Sequence, residues 1–205
     1  QNGKADWSEI ALSVPSMDIY RPYLEREFTL YGIPFVIKSG VSLTANSAGK
    51  IFREIANCHT TDFTFDSVRA LLLDECVPWK EEHKQAREGL VRVGNEMRCI
   101  CSPEEKDIWL SSFAKKIISL KAQNSPEAVI KEYENLKDFY LKVKFHVEEF
   151  YRNKNFAGIE NAWLSFKRYF LESDEKFSPE ANAILGRCIT ELKEIIAIEK
   201  QYQAC

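Results

Sequence analysis

Leu30-Tyr31-Gly32-Ile33-Pro34-Phe35-Val36-Ile37 joins two kinds of backbone in eight residues. Gly32 suits the left-handed conformation that stops a helix. Ile33, preceding Pro34, is pushed into extended geometry. Upstream, Ile19, Tyr23, Leu24 and Phe28 recur near helical spacing, with Ser16 or Asp18 as cap, so a helix is predicted up to Tyr31. Pro22 fits best in a first turn, which favours a start close to it. Before that lies Glu9-Ile10-Ala11-Leu12-Ser13-Val14, a short apolar run closed by Pro15 and read as a buried strand. Residues 34–38 read as a second strand. Strand, helix and strand in about thirty residues make one β-α-β unit. A lone unit leaves its sheet edges unpaired, so the rest of the sheet is expected outside this segment, or the segment is an appendage.

From about residue 44 the apolar spacing becomes helical. Ile51, Phe52 and Ile55 share a face within 45–57; Asp62 offers a cap for an apolar run over 67–76; Ala86, Leu90 and Val93 mark a charged helix over 80–97. Three segments repeat one start signal: Ser102-Pro103-Glu104, Ser125-Pro126-Glu127 and Ser178-Pro179-Glu180. Each supplies a cap, a proline at the first helical position and an early acid. The helices that follow carry Trp109, Phe113, Ile117 and Leu120; Val129, Tyr133, Leu136, Tyr140 and Val143; and Ile184, Leu185, Ile189, Leu192 and Ile196. Another spans 156–171 with Trp163, Phe166 and Phe170. The fold class expected is mainly α: residues 1–40 form a small N-terminal β-α-β piece, and residues 41–205 form a helical domain, with about seven or eight helices in all.

The chain of 205 residues is 45% hydrophobic and carries 28 Lys+Arg against 31 Asp+Glu, a net charge of −3. This excludes a uniformly basic coat, and leaves room for a local basic patch. Six cysteines at irregular spacing (Cys58, Cys76, Cys99, Cys101, Cys188, Cys205) read as reduced thiols of a cytoplasmic protein, with no metal site. No apolar run reaches the ~20 residues of a membrane span. The polar start, without an initiator Met or a signal peptide, and the polar end read as cuts within a longer chain.

Asn46-Ser47-Ala48-Gly49-Lys50 resembles the end of a phosphate-binding loop but lacks the upstream glycine (Thr44 stands there) and the hydroxyl after the lysine (Ile51). A capped helical turn is the better reading. No catalytic constellation occurs, and His83 and His146, beside charged residues, read as surface histidines. The aromatics between Tyr133 and Phe170 read as core packing. Lys115-Lys116, Lys142 with Lys144, and Lys167-Arg168 are isolated basic pairs. Arg21, Lys38, Lys50 and Arg53, around the junction of the two segments, are the first candidates for DNA contact.

Residues Glu9 to Trp79 carry a resemblance. The run Glu9 to Ser16, then Tyr20-Arg21-Pro22-Tyr23-Leu24-Glu25, then Leu30 to Ile37, then Leu43 and Ser47 before Ile51-Phe52, resembles UvrD/Rep-type helicases where the second RecA-like domain meets the helical 2B insertion. The closest likeness is to the AddB-type subunit of helicase–nucleases and its RecB/RecC-like relatives. This implies a parent that processes DNA double-strand breaks in recombinational repair as an ATP-dependent helicase and exonuclease, with ATP and Mg in the parent and none in residues 1–205. The residues themselves would be non-catalytic, contributing contacts to DNA and to a partner helicase–nuclease subunit, without a membrane. Val14-Pro15-Ser16-Met17 lacks the arginine that ATP-hydrolysing relatives carry there, which implies a degenerate, scaffold-like subunit. The alternative expectation is a helical protein–protein interaction module, adaptor-like, that binds no nucleic acid.

Overall fold

The computed structural model describes residues 10–15, 17–36, 48–76, 78–99, 107–152 and 154–203. It divides into two compact units, 1–41 and 42–205.

The first unit contains α1 (Met17–Leu30). Gly32 ends it with φ +63°, and Ile33 N–H donates back to the Phe28 carbonyl at 2.8 Å. This is the left-handed stop expected of that glycine. Pro22 lies inside the helix, not in its first turn, and removes one backbone donor. No strand forms among the described residues. Segments 10–14 and 33–36, read above as strands of a β-α-β piece, flank α1 without pairing; Glu9, Ile37 and Lys38 lie outside the described residues. A short apolar run becomes a strand only where a neighbour accepts its ladder of hydrogen bonds, and neither segment has one among the described residues.

The regular elements described in the second unit are helices: α2 (Lys50–Thr60), α3 (Phe65–Leu72), α4 (Lys84–Glu96), α5 (Ile108–Ala122), α6 (Glu127–Arg152), α7 (Phe156–Phe170) and α8 (Pro179–Gln203), with single 3-10 turns at Glu81–His83 and Asp174–Lys176. Eight α-helices are thus described in the whole chain. One of the three repeated start signals acts as written: α8 opens at Pro179 and Ala181 N–H reaches Ser178 Oγ at 3.1 Å. At Ser125-Pro126-Glu127 the start shifts by one residue: α6 opens at Glu127, and Val129 N–H reaches the Pro126 carbonyl at 2.9 Å. Ser102-Pro103-Glu104 lies outside the described residues; α5 opens at Asp107 instead. Thr64, not Asp62, caps α3. Asp62 and Phe63 both take positive φ, 52° and 56°, in the turn after α2.

The long helix α6 is the axis of the unit, packing against α2, α4, α5 and α7, while α8 packs on α7. Tyr140, Val143 and Val147 of α6 meet Trp109 and Phe113 of α5 and Phe166 and Phe170 of α7 in one continuous core. Trp109 is fully buried; its ring stacks on Tyr140 at 5.3 Å and its Nε1 donates to the Phe63 carbonyl at 2.8 Å. α4 approaches this ring through Gly94, where an added Cβ would sit 2.3 Å from Trp109 Cη2. Gly94→Ala gains about 1 kcal/mol of helix propensity, yet is expected to lower stability, because overpacking costs about 1–3 kcal/mol and a ring held on both sides cannot yield cheaply. Urea unfolding checks this; a variant more stable than the parent protein would mean that the ring moves freely.

Candidate functional site

Three of the four residues expected to touch DNA are described, and each has a carboxylate nearby. Arg21, in the first unit, pairs with Glu25 at 2.8 Å. Lys50 and Arg53 share the first turn of α2, where Lys50 lies 3.9 Å from Asp74 and Arg53 lies 3.3 Å from Glu54. Lys38 lies outside the described residues. Glu25 stands one helical turn from Arg21 and Glu54 directly follows Arg53, so both were visible in the sequence; Asp74, from beyond α3, was not. The other basic pairs also have internal partners. Lys116 lies over Tyr133, Lys142 over Tyr169, and Lys167 pairs with Asp174. Gly49 and Lys50 open α2, in keeping with a helical first turn rather than a phosphate loop.

The densest polar convergence lies at the C-terminal end of α7. Residues 78–83 are zipped onto it. Trp79 bridges Leu171, Lys80 N–H donates to the Phe170 carbonyl at 2.9 Å, and Glu172 N–H returns to Pro78 at 2.9 Å. Lys80 Nζ donates to the Arg168 carbonyl at 2.7 Å, and His83 Nε2 meets the Tyr169 carbonyl at 2.9 Å. The last carbonyls of a helix are its negative pole, where cationic and donor side chains are favourable. Lys80 and His83 therefore act as a cap supplied from a remote segment.

His146 enters the same cluster from α6, its ring 5.1 Å from Tyr169 and 5.2 Å from Phe170, beside a cleft of about 240 Å³ lined also by Lys80, Glu82, His83, Ser165 and Arg168. The expectation of surface histidines is corrected for both: His146 is buried, and the His83 side chain is 13% exposed. The phase of α6 explains His146, which falls one turn after Val143 and one before Phe150, both in the core.

Burial holds His146 below the ordinary imidazole range, against a weaker opposing pull from Glu149. Its folded pKa lies under its unfolded value, so the unfolded chain binds the extra proton first. Stability is complete above the unfolded value near 6.5 and falls as pH drops below it. His146→Gln is expected to flatten urea midpoints measured over roughly pH 5 to 7; an unchanged slope would assign the acid sensitivity elsewhere.

A second network pins α5 to α6. Asp107, 11% exposed and left-handed at φ +58°, accepts from Leu110 N–H at 3.2 Å, from Tyr140 Oη at 3.0 Å and from Lys144 Nζ. Lys144 also lies 5.1 Å over the Phe63 ring. Burial and the neighbouring Asp107 raise the Tyr140 phenol far above its ordinary value, so it stays a neutral donor. The network ties α5 to α6. Burial also pushes the Cys58 thiol up to about 12 and the Cys99 thiol to about 11, which suits inert core cysteines. Among the described residues no group of three or more His, Cys, Asp or Glu is placed to hold a metal ion. None of their helices is long and apolar enough to cross a membrane.

One exposed surface is apolar. α8 packs its Ala181, Leu185 and Ile196 side inward in an antiparallel pair with α7, registered by Glu199 on Phe156 N–H at 3.1 Å and by Lys193 near Glu160 at 3.8 Å. Beside that face Ile195, Ile198 and Tyr202 are 41%, 52% and 79% exposed. They follow at spacings of three and four, one continuous stripe. The sequence reading took one apolar face for this helix and missed the second. The signal was the surplus of apolar residues over what a single stripe needs.

Comparison with known proteins settles the kinship. The family described as Treponema TP0900 fourth helical domain matches residues 44–205. A protein of Treponema pallidum (strain Nichols), described as uncharacterized, is 24% identical over 216 residues, covering 95% of this chain and 26% of its own length. The chain thus spans about a quarter of that relative. No solved structure matches. These findings overturn the resemblance to UvrD/Rep and AddB-type subunits, and with it the helicase, exonuclease, ATP-binding, DNA-repair and recombination readings. Gly32-Ile33-Pro34 reports how a helix stops and the chain turns extended, a local need that arises in unrelated folds. With 162 of its residues in that match, the chain belongs to the Treponema TP0900 fourth helical domain family.

Proposed function

We propose that this chain is a non-catalytic helical interaction module of a longer protein built from several helical domains, and that α8 is its contact helix toward another protein. The observation that carries the reading is the Ile195–Ile198–Tyr202 stripe, apolar and exposed beside the face that α8 uses on α7. Tyrosine and isoleucine on one helix edge are the chemistry of helix docking onto a protein surface. Two further points support it. The described candidates for DNA contact have carboxylate partners, and the histidines and Asp107 serve as caps and ties inside the fold. The domain's description as a fourth helical one, and a relative about four times the matched length, support a multidomain parent.

A photo-crosslinking residue at Ile198 in the full-length parent tests this. Irradiation is expected to yield adducts with protein, and few from the exposed neighbour Ala197, which points elsewhere. Adducts with nucleic acid alone, or equal yields at both positions, would reject the reading. Ile198→Asp with Tyr202→Asp should leave stability within about 0.5 kcal/mol each while abolishing the adduct partner's binding.

A further inference from the structure

We propose that the cleft between the start of α2 and the end of α3 is a site for a guanidinium group, the head of an arginine side chain, with Asp74 Oδ2 as its principal acceptor. The site is built from the second unit alone and is independent of the α8 reading.

One atom sets the cleft apart. Asp74 follows the last turn of α3, and its side chain is 2% exposed. Its Oδ1 accepts from Cys76 N–H at 2.9 Å, and its carbonyl accepts from Trp79 Nε1 at 3.1 Å. These bonds hold the carboxylate in place. Its Oδ2 is buried and has no hydrogen-bond partner. Lys50 Nζ lies 3.9 Å away, close enough for an ion pair and too far for a hydrogen bond. A buried carboxylate oxygen without a donor is costly, and native folds rarely leave one. Asp74 also lines a cleft of about 520 Å³, which has room for the missing donor to come from a ligand.

The lining selects a cation. Asp66 and Glu75 add two exposed carboxylates to Asp74, against the two cations Lys50 and Arg69. The last carbonyls of α3 form a negative pole beside Asp74. Arg87 answers one of them: its Nη1 donates to the Leu72 carbonyl at 2.8 Å while its guanidinium lies 5.1 Å over the Trp79 ring. A guanidinium is therefore already the group that this helix end accepts.

An ammonium fits less well. Lys50 brings one to the cleft and leaves Oδ2 unbonded. A guanidinium is planar, weakly hydrated and carries five N–H donors, so it can serve Oδ2 and a second carboxylate together. Ala70 and Leu73, four and seven positions after Asp66 along one side of α3, give its stem an apolar floor. Lys50, on a flexible four-carbon stem, is the placeholder that the ligand displaces.

Isothermal titration calorimetry on the full-length protein tests the site. N-butylguanidine is expected to bind about tenfold or more tightly than butylammonium. Tighter binding of N-acetylarginine amide than of agmatine would identify the ligand as a protein side chain, and the reverse order as a free small cation. Asp74→Asn is expected to weaken N-butylguanidine binding about tenfold or more. Lys50→Met, which removes the competing ammonium, is expected to tighten it about threefold. The Lys50 side chain is 38% exposed, so this second variant decides the matter should Asp74→Asn fail to fold. No binding by either the parent protein or Lys50→Met, equal binding of butylammonium, binding unchanged by Asp74→Asn, or binding unchanged or weakened by Lys50→Met would overturn the proposal.

Discussion

Trp109→Ala is expected to lower the stability of the helical unit by about 3–5 kcal/mol, the cost of emptying a large aromatic site that cannot collapse. The indole is fully buried between Gly94 of α4, Phe65 of α3 and Tyr140 of α6, so four helices lose a shared contact at once. Its Nε1–H is also the partner of the Phe63 carbonyl, in a turn whose Asp62 and Phe63 both hold positive φ. Without it the carbonyl loses its partner, and a strained turn loses an anchor. Trp109→Phe separates the two contributions: it keeps most of the ring and forfeits the hydrogen bond, for an expected loss nearer about 1–2 kcal/mol. Equilibrium urea unfolding monitored by circular dichroism gives both values. A loss under about 1 kcal/mol for the alanine variant would contradict the packing described.

Asp107→Ala carries the second largest expected effect, about 3 kcal/mol or more. One carboxylate caps α5 through Leu110 N–H, accepts the Tyr140 hydroxyl and pairs with Lys144. Its loss leaves a buried phenol unpaired and removes a helix cap. Alanine is moreover strained at φ +58°, where aspartate and asparagine are better tolerated. A series resolves these causes. Asp107→Asn keeps the cap and the backbone preference and should be the mildest change. Asp107→Gly relieves the backbone but restores no hydrogen bond. Thermal or urea melts ranking alanine as mild as asparagine would show that neither charge nor backbone conformation matters there. These effects share partners and will not add to those of Tyr140 or Lys144 substitutions.

Local grammar survives translation into three dimensions here with few changes. Gly32 stops α1 in the left-handed region, and Ser125-Pro126-Glu127 and Ser178-Pro179-Glu180 open α6 and α8 near where they stand. Such signals depend on neighbours within a turn or two, so they are legible without the fold. The flanks of α1 were misread because a run such as Ile10 to Val14 is equally apolar as strand or as extended chain, and only a pairing partner decides. The likeness to DNA motors failed for the same reason: it rested on short apolar words whose meaning depends on a sheet that the described residues do not form.

The candidate sites divide along the same line. Carboxylates for Arg21 and Arg53 stand within four residues of them, whereas Lys50 meets Asp74 across α3, and His83 meets Tyr169 across 86 residues. The amino-acid order alone specifies a helical protein, the positions of most of its helices, and inward faces rich in Trp, Tyr and Phe, because periodicity and capping act over 3.6 residues. Which apolar stripes stay uncovered, that two histidines leave the surface, and that a remote segment caps α7 follow from packing. Burial is a property of what lies opposite a side chain, and that neighbour is chosen by the assembled helices, not by the residues beside it in the chain.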